Sequence, residues 1–111
     1  MKARLGIFMI TAVMLASPVH AEFVTGNELY QWGKEFKRSD TTSWIEAGAY
    51  MGYIQAISDA FDDVMFCLPG NATVGQSSDV VMRYLEAHPE KRHYTADSLA
   101  GAALSEAFPC N

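Results

Sequence analysis

Two cysteines, three histidines and thirteen carboxylates are the residues of this 111-residue chain with the means to do chemistry, and their spacing decides which chemistry. A Cys67 thiolate beside His88 would be the formal pattern of a nucleophile and its base, but it requires a free thiol with a lowered pKa. An even pair of cysteines in an exported chain reads instead as one disulfide, Cys67 to Cys110, and that removes the nucleophile. His20 lies in a segment expected to be cleaved away, His88 stands before a helix-ending proline, and His93 sits in the charged run Glu90-Lys91-Arg92-His93. Polar surface or capping roles suit the last two better than ligation. Asp59, Asp62 and Asp63 fall three and four residues apart, the spacing of a solvated helix face. No zinc spacing, phosphate loop or hydrolase elbow is present, and Asn71-Ala72-Thr73 matches a glycosylation sequon by letters only. The chain is expected to have no catalytic residues, no metal ligands and no cofactor: it is not an enzyme.

What must position the remaining chemistry begins with export. Lys2 and Arg4 precede an apolar stretch from Leu5 to Ala16, and Val19-His20-Ala21 offers small residues at a cleavage site. Residues 1–21 therefore read as a signal peptide cut after Ala21, leaving Glu22 first in a periplasmic product. The apolar stretch falls short of the roughly 20 residues that span a bilayer, and no cysteine directly follows the cleavage site to take a lipid. No membrane insertion is expected after cleavage. Residues 22–111 suit one domain with one core, small enough for a covalent staple to matter. Without Lys2 and Arg4 the chain has six basic side chains against thirteen acidic ones, a net charge of −7 with neutral histidines. Such a surface repels nucleic acid and favours a basic partner through steering.

The pass along this region yields four helix starts and no sustained two-residue alternation, so the fold class is all-α, a single compact domain with one disulfide. Thr25 with Glu28 forms a capping box, Val24 and Leu29 are placed for a hydrophobic staple, and Leu29, Trp32, Gly33 and Phe36 share one face. Ser43 with Glu46 opens a second, longer helix expected to run to about Met65, with Tyr50, Tyr53, Ile57, Ala60, Phe61 and Val64 as its core stripe. Thr73 with Gln76 opens the third, whose apolar residues Val80, Val81, Tyr84 and Leu85 lead to a stop at His88-Pro89. Thr95 caps the fourth, which runs to about Ala107 and carries Leu99, Ala100, Ala102, Ala103 and Leu104.

The second helix has an unusual opposite face, where Gly48, Gly52, Gln55, Asp59 and Asp62 fall together. Two glycines inside a helix cost about 1 kcal/mol each relative to alanine, so close approach of another element is expected there. Two covers fit. Trp32 or Trp44 packs over the glycines within the monomer, which is the preferred expectation, or the face is a homodimer contact with Gln55 and Asp59 hydrogen-bonded across it. Acid and amide groups on this face argue against burial in lipid.

Read in order, the stretch from Gly48 to Asp59 (Gly-Ala-Tyr-Met-Gly-Tyr-Ile-Gln-Ala-Ile-Ser-Asp) resembles the central-helix motif of the Rap/Tai family of immunity proteins. The resemblance extends to Cys67-Leu68-Pro69, Thr73 and Gln76, Tyr84-Leu85, His88-Pro89-Glu90, Ala103-Leu104 and the closing Phe108-Pro109-Cys110. It covers nearly all of the region from Val24 to Cys110, and it carries over the helical frame and the Cys67 to Cys110 pairing. It implies a periplasmic, homodimeric protein that binds and inhibits a peptidoglycan amidase effector of type VI secretion. The inhibitory contacts do not carry over with it.

Three loops are candidates for those contacts: 37–42, 68–72 and 89–94. The last combines charge with an aromatic anchor in Glu90, Lys91, Arg92, His93 and Tyr94. A second reading from another class is a small periplasmic acid-stress chaperone, or another helical binding protein. An effector encoded beside the chain favours immunity; protection of clients at low pH without such a neighbour favours the chaperone.

Overall fold

Local hydrogen bonding starts the first helix where the sequence places it. A computed structural model describes residues 23–111, so the expected signal peptide, its cleavage site and His20 lie outside the described residues. In α1 (Gly26–Lys37) the Thr25 hydroxyl accepts from the Glu28 N–H while the Glu28 carboxylate accepts from the Thr25 N–H, completing the capping box. Leu29 is fully buried and Val24 packs against the same core, as a staple requires. Thr73 and Gln76 repeat the reciprocal box at the start of α3 (Val74–Ala87).

The other two helix starts use different chemistry. α2 (Trp44–Phe61) begins after Ser43, as expected, but the Ser43 side chain makes no cap hydrogen bond. Thr41 takes over: its buried hydroxyl donates to Glu35 at 2.6 Å and accepts from the Ser43 N–H at 3.0 Å. Ahead of α4 (Ala96–Ala107), Thr95 occupies the N-cap position, yet its hydroxyl donates to the Ser98 hydroxyl rather than accepting a backbone N–H. A 3-10 turn, Pro89–Lys91, links α3 to α4. Beyond these helices the described residues contain only two isolated bridges, Thr25 with Thr95 and Asp62 with Phe66, and no extended strand.

The end of α2 corrects the expected boundary at Met65. The helix stops at Phe61 and turns through Asp63, which takes the left-handed conformation at φ 64°. An aspartate tolerates that conformation better than most residues. The Asp62 carboxylate supports the turn by accepting from the Asp63 and Leu68 N–H groups, and the Asp63 N–H also donates to Phe66 O. The turn drives Phe66 fully into the core, which a helix continued to Met65 would not do. Two residues assigned to the core stripe, Ala60 and Val64, are consequently exposed, while Ile54 is fully buried.

Around this frame the core is continuous. Leu29 from α1, Tyr50, Ile54 and Ile57 from α2, Val81, Met82 and Leu85 from α3, and Leu99, Ala100, Ala103 and Leu104 from α4 form one cluster. Small residues let the helices approach. At Gly33 a Cβ would overlap the Met82 sulfur and lie 2.9 Å from the Tyr50 ring, so only glycine lets α1 sit down between α2 and α3. The Tyr50 hydroxyl donates to Ser78 O at 2.6 Å, which satisfies a phenol that burial, first, and then Asp79 and Glu86, hold un-ionised well above its ordinary range.

Cys67 and Cys110 are disulfide-bonded, with their Cα atoms 4.9 Å apart, and the Cys67 N–H donates to Phe108 O at 2.8 Å. The bond spans 43 positions and pins the segment after α4 to the segment after α2. Cross-linking a loop of this length stabilises the folded state by about 4 kcal/mol on the chain-entropy account. Cys110→Ser is therefore expected to lower the melting temperature of the oxidised protein by more than about 10 °C, measured by circular dichroism. An unchanged melting temperature would contradict a stabilising role for the bond.

Candidate partner-binding surfaces

The loop from Pro89 to Tyr94 divides its side chains between inward and outward work. Arg92 turns inward: its Nε donates to Leu85 O at 2.7 Å and its guanidinium lies 3.8 Å from the centroid of the Tyr30 ring. Lys91 extends over Tyr84, with Nζ 5.9 Å from the ring centroid. Glu90 is exposed and meets His88 Nδ1 at 3.2 Å, and the His88 ring lies 4.3 Å from that of Tyr84. A hydrogen bond from its own backbone N–H, and secondarily the contact with His88, hold the Glu90 carboxyl below the usual carboxylate range. His93 and Tyr94 face outward, their rings 4.3 Å apart and Tyr94 52% exposed. Of the five loop residues singled out from the sequence, Glu90, His93 and Tyr94 are thus presented to solvent, while Lys91 and Arg92 engage the chain's own aromatic rings.

The glycine face of α2 is open. A Cβ at Gly48 or Gly52 would meet nothing within 4 Å. The expected cover by Trp32 or Trp44 is therefore not formed: Trp32 packs against the core, and Trp44 is 73% exposed. Ile45, at 88% exposure, and Met51 extend the same apolar surface. A hollow of about 300 Å³ beside it is walled by Phe36, Trp44, Ala47, Gly48 and Met51. Gln55 and Asp59 are exposed and line a separate polar notch with Thr73 and Ser77.

The turn after α2 presents apolar surface that a helix running to Met65 would not have revealed. Val64 is 74% exposed at its tip, and Met65 leans on Gly101 while its carbonyl accepts from the Ser105 hydroxyl. The positive φ at Asp63 had a partial sequence signal in the Asp62-Asp63 pair, but the pull of Phe66 into the core is a tertiary effect. The 37–42 loop is tied down by Arg38, which contacts both Glu35 and Asp40, and by Thr41. The carboxylates of the Asp59, Asp62 and Asp63 group do not converge, since Asp62 is committed to backbone N–H groups. Among the described residues no cluster of three His, Cys, Asp or Glu side chains is arranged to hold a metal ion, and Cys67 and Cys110 are both oxidised.

A hollow of about 330 Å³ between α3 and α4, with Arg83, Tyr84, His88 and Glu106 on its walls, is shallow and open to solvent. No helix among the described residues is long and apolar enough to cross a membrane. The fold and its surfaces define a disulfide-closed, all-helical domain that exposes large apolar side chains on α2, in the turn after it and at Tyr94. Residues 25–110 match the family of Rap1a immunity proteins, and the chain belongs to that family. A comparison with curated proteins finds no match. Family membership assigns the chain to proteins that confer immunity by binding an effector, are typically non-enzymatic, and are in general secreted or periplasmic.

The two kinds of glycine in this structure respond differently to a methyl group. Gly33→Ala is expected to destabilise the protein by about 1–3 kcal/mol, because Met82 and Tyr50 must move. Gly52→Ala, in open space on a helix, is expected to raise the stability of the monomer by up to about 1 kcal/mol. Denaturant titration of the two variants checks the contrast, and equal destabilisation would contradict an open α2 face in the monomer.

Proposed function

We propose that this chain is a periplasmic immunity protein that binds a type VI peptidoglycan amidase effector and blocks its active-site groove. The observation that carries the reading is the family match across residues 25–110. After removal of residues 1–21 the protein acts as a homodimer through the exposed α2 face around Gly48 and Gly52, with Gln55 and Asp59 at its edge. Support for that contact comes from Trp44, Ile45 and Met51, large apolar side chains left in solvent beside two uncovered glycines.

The contact with the effector is made by the 89–94 loop. Tyr94 is its anchor, an exposed amphipathic ring stacked on His93, with Glu90 at the rim. Aromatic side chains of this kind concentrate binding energy where they enter a pocket, because they exclude water over a large area and lose little rotamer entropy. The acidic net charge of the chain steers it towards a basic groove and raises the association rate more than the final affinity.

The test is a pull-down of the mature, oxidised protein against the peptidoglycan amidase effectors of its own organism and close relatives, followed by a peptidoglycan amidase assay on any that bind. Tight binding with loss of amidase activity is expected, and Tyr94→Ala is expected to weaken binding by about 2 kcal/mol or more, some thirtyfold in Kd. Full amidase activity in the presence of excess protein would overturn the reading.

A further inference from the structure

The outward pair His93-Tyr94 is carried on a backbone that α1 and α3 hold from behind. The Gly26 N–H donates to Tyr94 O at 2.8 Å and the Asn27 N–H donates to Arg92 O at 2.8 Å. These are first-turn amides of α1, which have no partner within their own helix, so the loop supplies the acceptors that the helix lacks. The approach is so close that a Cβ on Gly26 would overlap Leu99 and sit 2.9 Å from Arg92 O. Two residues beyond Tyr94, the Ala96 N–H donates to Val24 O at 2.7 Å.

Arg92 closes this arrangement from the other side. Its guanidinium lies 3.8 Å from the centroid of the Tyr30 ring, with Lys34 Nζ 4.8 Å from the same centroid, and its Nε donates to Leu85 O in the last turn of α3. A planar guanidinium donates in its plane while its face lies on a ring. A lysine ammonium has no such face and cannot reproduce both contacts. The side chain therefore joins α1 and α3 at the point where the loop backbone crosses between them.

We infer that Arg92 is a positioning residue: by bridging Leu85 O and the Tyr30 ring it fixes the backbone of residues 92–94, so that His93 and Tyr94 meet the effector as a preformed pair. The inference rests on the effector-binding role proposed for this loop. A loop already ordered in the free protein does not lose that freedom again on binding, and the saving appears directly as affinity.

The experiment uses the full mature, oxidised protein and the purified amidase effector that the pull-down identifies, with Arg92→Lys, Arg92→Ala, Tyr94→Ala and the Arg92→Lys/Tyr94→Ala pair. Amide hydrogen exchange at Gly26 and Asn27 reads the loop in the free protein, and calorimetry reads the affinity. Arg92→Lys is expected to leave the melting temperature within a few degrees, to speed exchange at Gly26 and Asn27, and to weaken binding about tenfold. In the Tyr94→Ala background the same substitution is expected to have a clearly smaller effect, because one of the two rings that Arg92 positions is already removed. Unchanged exchange at Gly26 and Asn27, or an Arg92→Lys effect that adds in full to that of Tyr94→Ala, overturns the positioning role while leaving the loop as the binding element. A Tyr94→Ala variant that binds as tightly as the parent overturns the role of the loop itself, and the inference with it. If Arg92→Ala fails to fold, Arg92→Lys alone decides.

Discussion

Three backbone hydrogen bonds hold the beginning of the described fold to the segment that enters its last helix: Gly26 to Tyr94, Asn27 to Arg92 and Ala96 to Val24. These contacts join positions about seventy residues apart in sequence and fix where α1 lies against α4. They also satisfy first-turn amides of α1 that would otherwise depend on water. Gly26 is the steric condition for the joint, since a side chain there would displace Leu99 or the backbone at Arg92. Once α1 is seated, Gly33 brings it down on Met82 and Tyr50, and Tyr50 reaches across to Ser78 O. The core is thus assembled from small residues at the approaches and large ones between them.

The disulfide performs the corresponding task at the other end of α4. It ties Cys110 to Cys67, next to the tight turn that carries Phe66 inward. The two constraints differ in kind: the joint at Gly26 orders the native state through paired polar groups, whereas the disulfide chiefly limits the unfolded chain. Together they leave α4 held at its start by α1 and just beyond its end by the post-α2 segment. A binding protein gains from such bracing when its contact residues sit on the loops between the held elements, because loops so placed are ordered before a partner arrives.

Much of this was legible wherever the determining chemistry is local. The boxes Thr25/Glu28 and Thr73/Gln76 formed with the reciprocal bonds that their spacing specifies, and the buried face of α1 follows from Leu29 and Gly33. Ser43/Glu46 has the same letters, but the Thr41 hydroxyl, anchored on Glu35, captured the Ser43 N–H instead. The end of α2 was set by the burial of Phe66, a long-range demand that overrides continuous helical periodicity. Gly48 and Gly52 stand out in the sequence, and close cover was expected over them, but within the monomer the structure leaves the space above them open. The run Glu90 to Tyr94 reads as a charged tip with an aromatic anchor; only three dimensions show Arg92 turned inward onto Tyr30 and Leu85 while Tyr94 turns to solvent.

Family membership makes this chain an effector-binding protein, and its own helices brace the loop proposed as the contact. The most direct test of that account is a hydrogen-exchange footprint of the protein bound to the amidase effector proposed as its target. The account predicts new protection concentrated in residues 89–94, with the centre of α2 unchanged from the free protein if its face is already occupied by a second copy. Protection that spares residues 89–94 and falls instead on the exposed α2 face or the Val64 turn would contradict it.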